Sequence, residues 1–531
     1  MEHNPRSSLT LLAAIILLLS GFAVFPGAAA AESDPAAPFE GEGTFRPLNQ
    51  IDRLLLAEWR RRGIRPARPS SDAVFVRRVY LDLIGTLPTA EQAREFLRNP
   101  DPRKRRKLIE ALMDREEFAH YWTLKWCDLL RVKSEFPINL WPNGVQAYHR
   151  WIYRAVRDNM PYDRFARELL TSSGSNFRVP PVNFYRGIQG EDPTAIAAAV
   201  GLTFMGVRTE KWDAGRRAGM EAFFSRVACK GTAEWKEVIV YPDPAAYGPL
   251  DAVFPDGRRV RIRAGRDPRR VFADWLIRPE NDWFARNIAN RVWSWLFGRG
   301  IIHEPDDIRP DNPPVHPRVL DYLESELVEA EYDLRHIFRL ICNSGTYQQS
   351  SIPRSDDPDV ERLFACYSVR RLDAEMLIDA ICDITGTRET YSSVVPEPYT
   401  FVPGEDRSIQ LADGTITSSF LKMFGRPARD TGLESERSNK MSDAQRLHLL
   451  NSTHLQEKIE RGPGVRKLMR LAGKPDRLLD TLYLTVLSRH PTAREKTAAA
   501  QYSRSKGLNR RDALHDLTWA LINTKEFLYR H

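Results

Sequence analysis

The chain has 531 residues, which is long enough for two domains of ordinary size or for one large composite. Hydrophobic residues make up 42% and charged residues 28% of the sequence, so intrinsic disorder and fibrous structure are excluded as its main state. The formal net charge of +8, from 78 Lys and Arg against 70 Asp and Glu, is a mild basic excess that by itself identifies no partner.

The first 31 residues have the pattern of a signal peptide. Arg6 precedes a nearly continuous apolar run from Leu9 to Val24, and Ala28 begins a group of small residues suited to cleavage. An uncleaved anchor helix is the alternative, but the apolar run is interrupted and falls short of the roughly 20 residues that a membrane span needs. We expect a periplasmic or extracellular protein that has no transmembrane segment after cleavage and no nucleic-acid partner.

Residues 32–47 form the first predicted segment after the signal peptide. They combine small, acidic and proline residues without an apolar period, which predicts a disordered linker. From Leu48 onward, apolar residues recur at the spacing of amphipathic helices. Such patterns lie at 51–59, 73–85, 90–98, 104–113 and 117–131. Residues 48–234 are therefore predicted to form a helical first domain.

Four tryptophans lie close together in this first domain: Trp122, Trp126, Trp141 and Trp151. They occur among leucine and tyrosine residues at helical spacing. An aromatic core between packed helices is therefore favoured over a ligand-binding platform.

The pattern of the sequence changes at Trp235. The runs WKEVIVYPD and DAVFPDGRRVRIRAG alternate β-branched residues and contain a Pro-Asp-Gly turn, which predicts antiparallel strands in a connector at 235–265. Helical patterns return in the predicted second domain, 266–531, where SIQLADGTI predicts a short hairpin. The predicted fold is mainly α, with two multi-helical domains and a small antiparallel β insertion between them.

One stretch of the sequence occurs twice in similar form. Tyr80 to Ala90 aligns without gaps with Tyr483 to Ala493. In both copies a proline and a threonine separate two helical patterns, which is a common capping arrangement. The sequence leaves two explanations open: this local capping solution, or a duplicated helical unit that brackets the chain.

The densest group of polar residues is the proline-rich segment 303–316. His303, Asp306, Asp307 and His316 are its candidates for acid/base chemistry, because glycoside hydrolysis needs two carboxyl groups. The segment has no E-x-x-H or H-E-x-x-H spacing, so no metal site is predicted. The favoured interpretation is a rigid crossover loop whose carboxylates cap helices and pair with arginines, with Asn312 and His316 as further candidates for helix capping.

Arginines supply most of the candidate binding groups. A network of arginines and carboxylates that joins loops is favoured over a pocket for an anionic substrate. The candidate binding residues are Arg291, Arg309, Asn312, Arg371, Arg426 and Arg437. The sequence has no G-x-S-x-G motif, no glycine-rich phosphate loop and no C-x-x-C pair among its five cysteines. It therefore predicts no cofactor.

Eight stretches carry a more specific signal than periodicity or composition. They are FVRRVYLDLIGTLPTAEQAREFL, LMDREEFAHYWTLKWCDLLRV, MPYDRFARELLTSSGSNFRVPPVNFYR, NRVWSWLFGRGIIHEPDDIRPDNPPVHPRVLDYL, NSGTYQQSS, RRLDAEMLIDAI, FGRPARD and HLLNS. Together they resemble planctomycete secreted proteins built from two adjacent domains of unknown function, the first named for its association with cytochrome c. The resemblance covers residues 48–531. It implies an exported, largely helical protein whose biochemical activity is not established.

The sequence departs from this family at two places. Many members carry a C-x-x-C-H-x-H loop between the positions of Arg208 and Lys211, but only Thr209 and Glu210 stand there. Covalent haem attachment requires both thiols and the adjacent histidine. A C-x-C-like pair of the family is likewise replaced, at 433–435. We therefore expect a protein without haem.

These observations predict an exported binding or scaffold protein of the cell envelope, of unknown biochemical activity. Its expected partner is a protein or an acidic polysaccharide. Two alternatives remain: a hydrolase that acts on acidic polysaccharides through carboxylates of the 303–316 segment, and a divergent redox-associated protein.

Overall fold

The computed structural model describes residues 36–471, 473–505 and 508–531. The predicted signal peptide lies outside these residues. The described chain is mainly helical, as the sequence predicted. In the described ranges, no helix is long and apolar enough to cross a membrane.

The α-helices follow one another from residue 50 to residue 528. Those that precede residue 267 are Gln50–Arg62, Asp72–Ile84, Ala90–Arg98, Lys104–Met113, Glu116–Leu129, Trp141–Arg157, Tyr162–Thr171, Asn183–Arg186, Pro193–Val200 and Ala214–Glu221. Those that follow are Pro268–Leu276, Phe284–Phe297, Pro317–Glu329, Leu334–Cys342, Ala374–Thr385, Ser419–Met423, Asp443–Asn451, Thr453–Arg461, Pro463–Leu468, Pro475–Leu487, Ala493–Ser503, Arg510–Ile522 and Lys525–Leu528.

Three small antiparallel sheets accompany the helices. Their strands are β1 (Gly174–Ser175), β2 (Val227–Gly231), β3 (Val238–Pro242), β4 (Leu250–Val253), β5 (Arg259–Ile262), β6 (Arg370–Arg371) and β7 (Tyr529–Arg530). Strand β3 lies between β1 and β2, β4 pairs with β5, and β6 pairs with β7. The strands predicted in the connector are therefore present, and β1 and β2 extend that sheet into the sequence before it.

The hairpin predicted for SIQLADGTI is not formed. Ser408–Gln410 is instead a 3-10 turn. The backbone N–H groups of Ser408 and Ile409 donate to the buried carboxylate of Asp379 at 2.8 and 3.2 Å. Because these donors bind a side chain from a helix, they are not available to a neighbouring strand.

The described part of the predicted linker contacts the helical part of the chain. The Glu40 carboxylate is 4% exposed and lies 2.8 Å from the Arg354 guanidinium. The Phe45 ring packs edge-on against the Trp59 ring, with centroids 5.3 Å apart. An ion pair with a partly exposed arginine and one aromatic contact thus connect this segment, in which the sequence shows no apolar period, to the rest of the chain.

The four clustered tryptophans differ in their surroundings. Trp122 and Trp126 are buried, and their rings lie 5.4 and 6.0 Å from that of Trp295 in the second half of the chain. The predicted aromatic core is confirmed for these two. Trp141 and Trp151 are only half-buried.

Both copies of the repeated stretch have the same local structure. Gly85 and Ser488 end the first helix of each copy in the left-handed conformation, with φ of 67° and 59°. Thr89 and Thr492 begin the second helix of each copy with a capping box. The similarity in sequence is therefore also a similarity in local geometry.

A network of buried ion pairs joins the first and last parts of the chain. Asp82 is its first acidic member. One carboxylate oxygen accepts hydrogen bonds from Arg370 at 3.1 Å and from Arg530 at 2.9 Å. The other accepts from the hydroxyl groups of Tyr347 and Tyr367 at 2.9 and 3.0 Å. All four donors come from residues far along the chain.

Asp373 is the second acidic member of the network. Its carboxylate accepts from Lys125 at 2.8 Å and lies 3.1 Å from Arg530. Burial alone would raise the pKa of Asp373, but Lys125, Arg530 and Arg437 hold it well below its usual value. The ionised form of this buried carboxylate is therefore favoured by its cationic neighbours.

Arg437 extends the network towards the first helices. It donates to Glu375 at 2.7 Å and to Asp128 at 2.6 Å. Arg429 also donates to Asp128, at 2.9 Å. Carboxylates of the predicted first domain are thus neutralised by arginines of the second, so neither domain contains a balanced set of buried charges on its own.

Substitution of one network carboxylate should destabilise the whole protein. Asp373→Asn keeps the shape of the side chain but leaves Lys125 and Arg530 without their shared counter-charge, so we expect a loss of about 3–5 kcal/mol in the free energy of unfolding. Urea unfolding followed by circular dichroism measures it. Asp251→Asn is the matched control, because Asp251 is 76% exposed and pairs with an equally exposed arginine. Equal losses in the two variants would contradict the role given to the network.

Candidate functional site

A polar cleft of about 670 Å³ lies beside the 303–316 segment. A volume of this size is typical of ligand-binding clefts. Its walls come from three segments, 207–216, 282–286 and 307–311. The first belongs to the predicted first domain and the other two to the second, so the cleft is built at their junction.

Gly206 allows the walls of the cleft to approach closely. Its carbonyl oxygen accepts the backbone N–H of Ile308 at 2.8 Å, and its φ is 63°. A Cβ atom at this position would lie 2.6 Å from Oδ1 of Asn287 and 2.9 Å from the carbonyl oxygen of Pro305. The contact between the first domain and the 303–316 segment therefore requires glycine here.

One wall of the cleft is formed by the start of the Ala214–Glu221 helix. Asp213 caps this helix by accepting the backbone N–H of Arg216 at 2.9 Å. The Arg216 guanidinium lies 4.0 Å from the centre of the Trp212 ring and 5.7 Å from that of Trp283. This cation thus holds two indole rings at the edge of the cleft.

The carboxylates of the opposite wall are paired with cations. Asp307 accepts from Lys211 at 2.8 Å and lies 3.2 Å from Nε of Arg309. Arg309 also donates to Asp311 at 2.9 Å. The two aspartates that the 303–316 segment places in the cleft therefore already have positively charged partners.

Asp306 points away from the cleft. It is fully buried, with one carboxylate oxygen 2.7 Å from Arg291 and the other accepting the backbone N–H of Glu434 at 2.7 Å. Burial alone would lower the pKa of Arg291, but Asp306 and Glu434 raise it above its usual value. Asp306 therefore anchors the segment to the Phe284–Phe297 helix and to the backbone at Glu434, both within the second domain.

Asn312 forms hydrogen bonds within the 303–316 segment. Its side-chain amide donates to the carbonyl oxygens of His303 at 3.2 Å and Asp307 at 2.9 Å. His303 is partly exposed, and burial, with a smaller effect from Arg299, lowers its pKa. These contacts fix the loop rather than cap a helix, so the predicted capping role of Asn312 is wrong.

His316 is a buried histidine and not a member of the cleft. Its Nε2 lies 3.1 Å from the carbonyl oxygen of Leu363, and burial lowers its pKa to about 4. The Pro317–Glu329 helix begins directly after it without a side-chain cap. The predicted cap is therefore absent, because the imidazole is directed into the interior.

The candidate arginines lie in different places. Of these, Arg309 lines the cleft. Arg371 donates to the carbonyl oxygen of Phe424 at 2.6 Å, and Arg426 and Arg437 belong to the buried ionic network. Among the described residues, no group of three or more His, Cys, Asp or Glu is arranged to hold a metal ion.

Arg208 and Arg216 are the two cations of the lining that form no ion pair among the described residues. Arg216, however, stacks on Trp212 and donates to the carbonyl oxygen of Pro255 at 3.0 Å. Arg208 has neither kind of contact in the described chain. Its Nε atom is buried and has no hydrogen-bond partner within the described residues, and its guanidinium forms no ion pair there. Trp212 and Trp283 are half-buried in the cleft, and Asp282 is exposed. None of these three side chains donates or accepts a hydrogen bond in the described chain, so the cleft keeps unused hydrogen-bonding groups.

Sequence reasoning did not identify these unpaired residues as part of a site. The available signal was the position of Arg208 and Trp212, which flank the place where the resemblance predicts a cysteine loop. Trp283 comes much later in the chain and belongs to no motif. Its approach to Trp212 depends on the packing of two separate helices, which no local pattern specifies.

The low pKa of His316 predicts acid sensitivity. Because the folded state favours the neutral ring, the stability that this group contributes is present above about pH 6.5 and is lost as the pH falls towards 4. The full loss corresponds to about 3 kcal/mol. His316→Asn, which keeps a donor for the Leu363 carbonyl, should lose less stability between pH 7 and 4.5 than the wild type in urea unfolding experiments.

His490→Asn is the control for this experiment, because His490 is 46% exposed. Burial also lowers the pKa of His149 and His531, to about 3 and about 4, so part of the acid sensitivity should persist in His316→Asn. If the free energy of unfolding depends on pH in the same way in His316→Asn and in the wild type, His316 is not the source of the acid sensitivity.

Comparison with known families gives two matches. Residues 50–210 match PSCyt2, a protein of unknown function (DUF1549), and residues 268–503 match PSD1, a protein of unknown function (DUF1553). No curated protein and no solved structure matches the chain. The matched regions lie on either side of strands β2 to β5, in the order that the resemblance implied. The chain therefore belongs to the proteins in which a DUF1549 domain is followed by a DUF1553 domain.

Proposed function

We propose that this protein is an exported component of the cell envelope that binds a partner and does not transform it chemically. The observation that carries the proposal is the pairing of the acidic groups in the 303–316 segment. Asp307 is bound by Lys211, Asp311 by Arg309, and Asp306 is buried away from the cleft. The segment thus serves as a closed structural loop.

A hydrolase would require a different arrangement of carboxyl groups. Glycoside hydrolysis uses one carboxylic acid that carries a proton beside the leaving-group oxygen and a second carboxylate that faces the sugar from the other side. In the cleft, the oxygens of Asp307 and Asp311 already accept hydrogen bonds from cations. Of the other two lining carboxylates, Asp213 caps a helix by accepting the backbone N–H of Arg216 at 2.9 Å, and Asp282 has no partner among the described residues. The cleft therefore does not offer two carboxyl groups that are both free of other contacts.

The buried ionic network also supports a binding or scaffold role. Its charges are contributed by both domains, so separating them would leave buried arginines and carboxylates without counter-charges. A body of this kind presents surfaces in fixed positions. Enzymes that close around a substrate need the opposite property, a segment or domain that moves easily.

The two other parts of the proposal come from the sequence. The apolar run near residues 9–24 and the small residues after it support export. A redox role through covalent haem would need a C-x-x-C-H motif, which the sequence lacks. The proposed partner is an acidic polysaccharide or a protein of the envelope.

The proposal predicts that no sugar polymer is cleaved. The exported protein is incubated with polygalacturonate, alginate and chondroitin sulfate, and reducing ends are measured over time. We expect no release above the level of a blank without protein, because the carboxylates of the 303–316 segment are paired. Release by the wild type that is lost in Asp307→Asn would contradict the proposal and would favour a hydrolase.

A further inference from the structure

We infer that the cleft binds an acidic sugar residue of a polysaccharide, and that Arg208 contacts the carboxylate of that residue. The inference rests on the proposed function, which requires a ligand but does not specify one. It follows from the groups of the cleft that have no partner in the protein.

The first step concerns positive charge. Lys211 and Arg309 are bound to carboxylates, and Arg286 lies 2.7 Å from Asp321 and 3.1 Å from Glu324. Arg216 forms no ion pair in the described chain either, but its guanidinium stacks on Trp212 and donates to the Pro255 carbonyl oxygen at 3.0 Å. Arg208 has none of these partners in the described chain, although its Nε is buried. A buried N–H group without an acceptor is unfavourable, and a carboxylate would supply two acceptor oxygens to the planar guanidinium.

The second step concerns the indole rings. Trp212 and Trp283 are half-buried, with indole N–H groups that donate to no described residue. An indole ring has two apolar faces and one hydrogen-bond donor, and Arg216 covers one face of Trp212. A pyranose ring has the matching character, since one face carries C–H groups and its edge carries hydroxyl groups.

The third step concerns the negative charges of the cleft. Asp307 and Asp311 are paired with cations, but Asp213 and Asp282 line the cleft without an ion pair among the described residues. A small ion with several charges, such as phosphate, meets the negative charge of these two carboxylates there. A sugar with a single carboxylate places that charge at Arg208 and its hydroxyl groups near Asp282. The presence of both positive and negative groups in the cleft therefore favours a uronate, a sugar with a single carboxylate, over a densely charged anion.

Binding of polygalacturonate, measured by isothermal titration calorimetry with the exported protein, tests this inference. The matched ligand control is fully methyl-esterified polygalacturonate, which has the same ring without the charge. We expect the wild type to bind the free acid at least about tenfold more tightly than the ester, because the ester removes the charged contact with Arg208.

Variants of the protein provide the second part of this experiment. Arg208→Gln should weaken binding of the free acid about tenfold and remove the preference for it over the ester. Arg208→Lys keeps the positive charge but lacks the planar guanidinium. Its affinity for the free acid should therefore lie between those of the wild type and Arg208→Gln. Arg60→Gln is the matched control, because Arg60 is exposed on the Gln50–Arg62 helix, outside the cleft, and its side chain is unpaired in the described structure. Circular dichroism shows whether each variant is folded.

The outcomes separate this inference from the proposed function. Three outcomes would overturn the inference: the wild type binds neither polymer, it binds both equally, or its affinity for the free acid equals that of folded Arg208→Gln. Each of them would leave an envelope binding protein as the proposed function. Cleavage of the polymer during the titration would overturn the proposed function itself. Weakening in both Arg208→Gln and Arg60→Gln to the same extent would indicate a general charge effect and would also overturn the inference.

Discussion

The buried ionic network is the constraint on which the rest of the structure depends. Asp82 and Asp128 stand on helices of the DUF1549 region, and the arginines that neutralise them come from the second half of the chain. An unpaired charge in the interior costs several kcal/mol, so these helices are stable only when the second half packs against them. The two regions consequently share one buried ionic network, and the cleft lies at their junction.

At this junction, two adjacent aspartates have opposite roles. Asp306 faces inward to Arg291 of the second domain, whereas Asp307 faces outward to Lys211 of the first. Together they hold the 303–316 segment between the two regions. Neighbouring residues in an extended or turning chain point to different sides, which explains how one short acidic run contributes both an internal anchor and a wall of the cleft.

The parts of the structure that could be predicted from the sequence are those set by nearby residues. The capping box at Thr89, the amphipathic helices and the strands of the connector all follow from local patterns. The same patterns do not reveal contacts with distant partners. Glu40 of the predicted linker pairs with Arg354, and Asp379 prevents the predicted hairpin. The cleft was missed for the same reason, because its walls are far apart in the chain.

The pairing of Arg530 with Asp82 has a consequence for the order of events during folding. These residues are separated by most of the chain, and contacts of such long range form late because a large loop must close first. A ribosome delivers Asp82 long before Arg530. Arg370 can supply one cation to Asp82 earlier, but the full set of contacts around this carboxylate is complete only when the last strand, with Arg530, has been added.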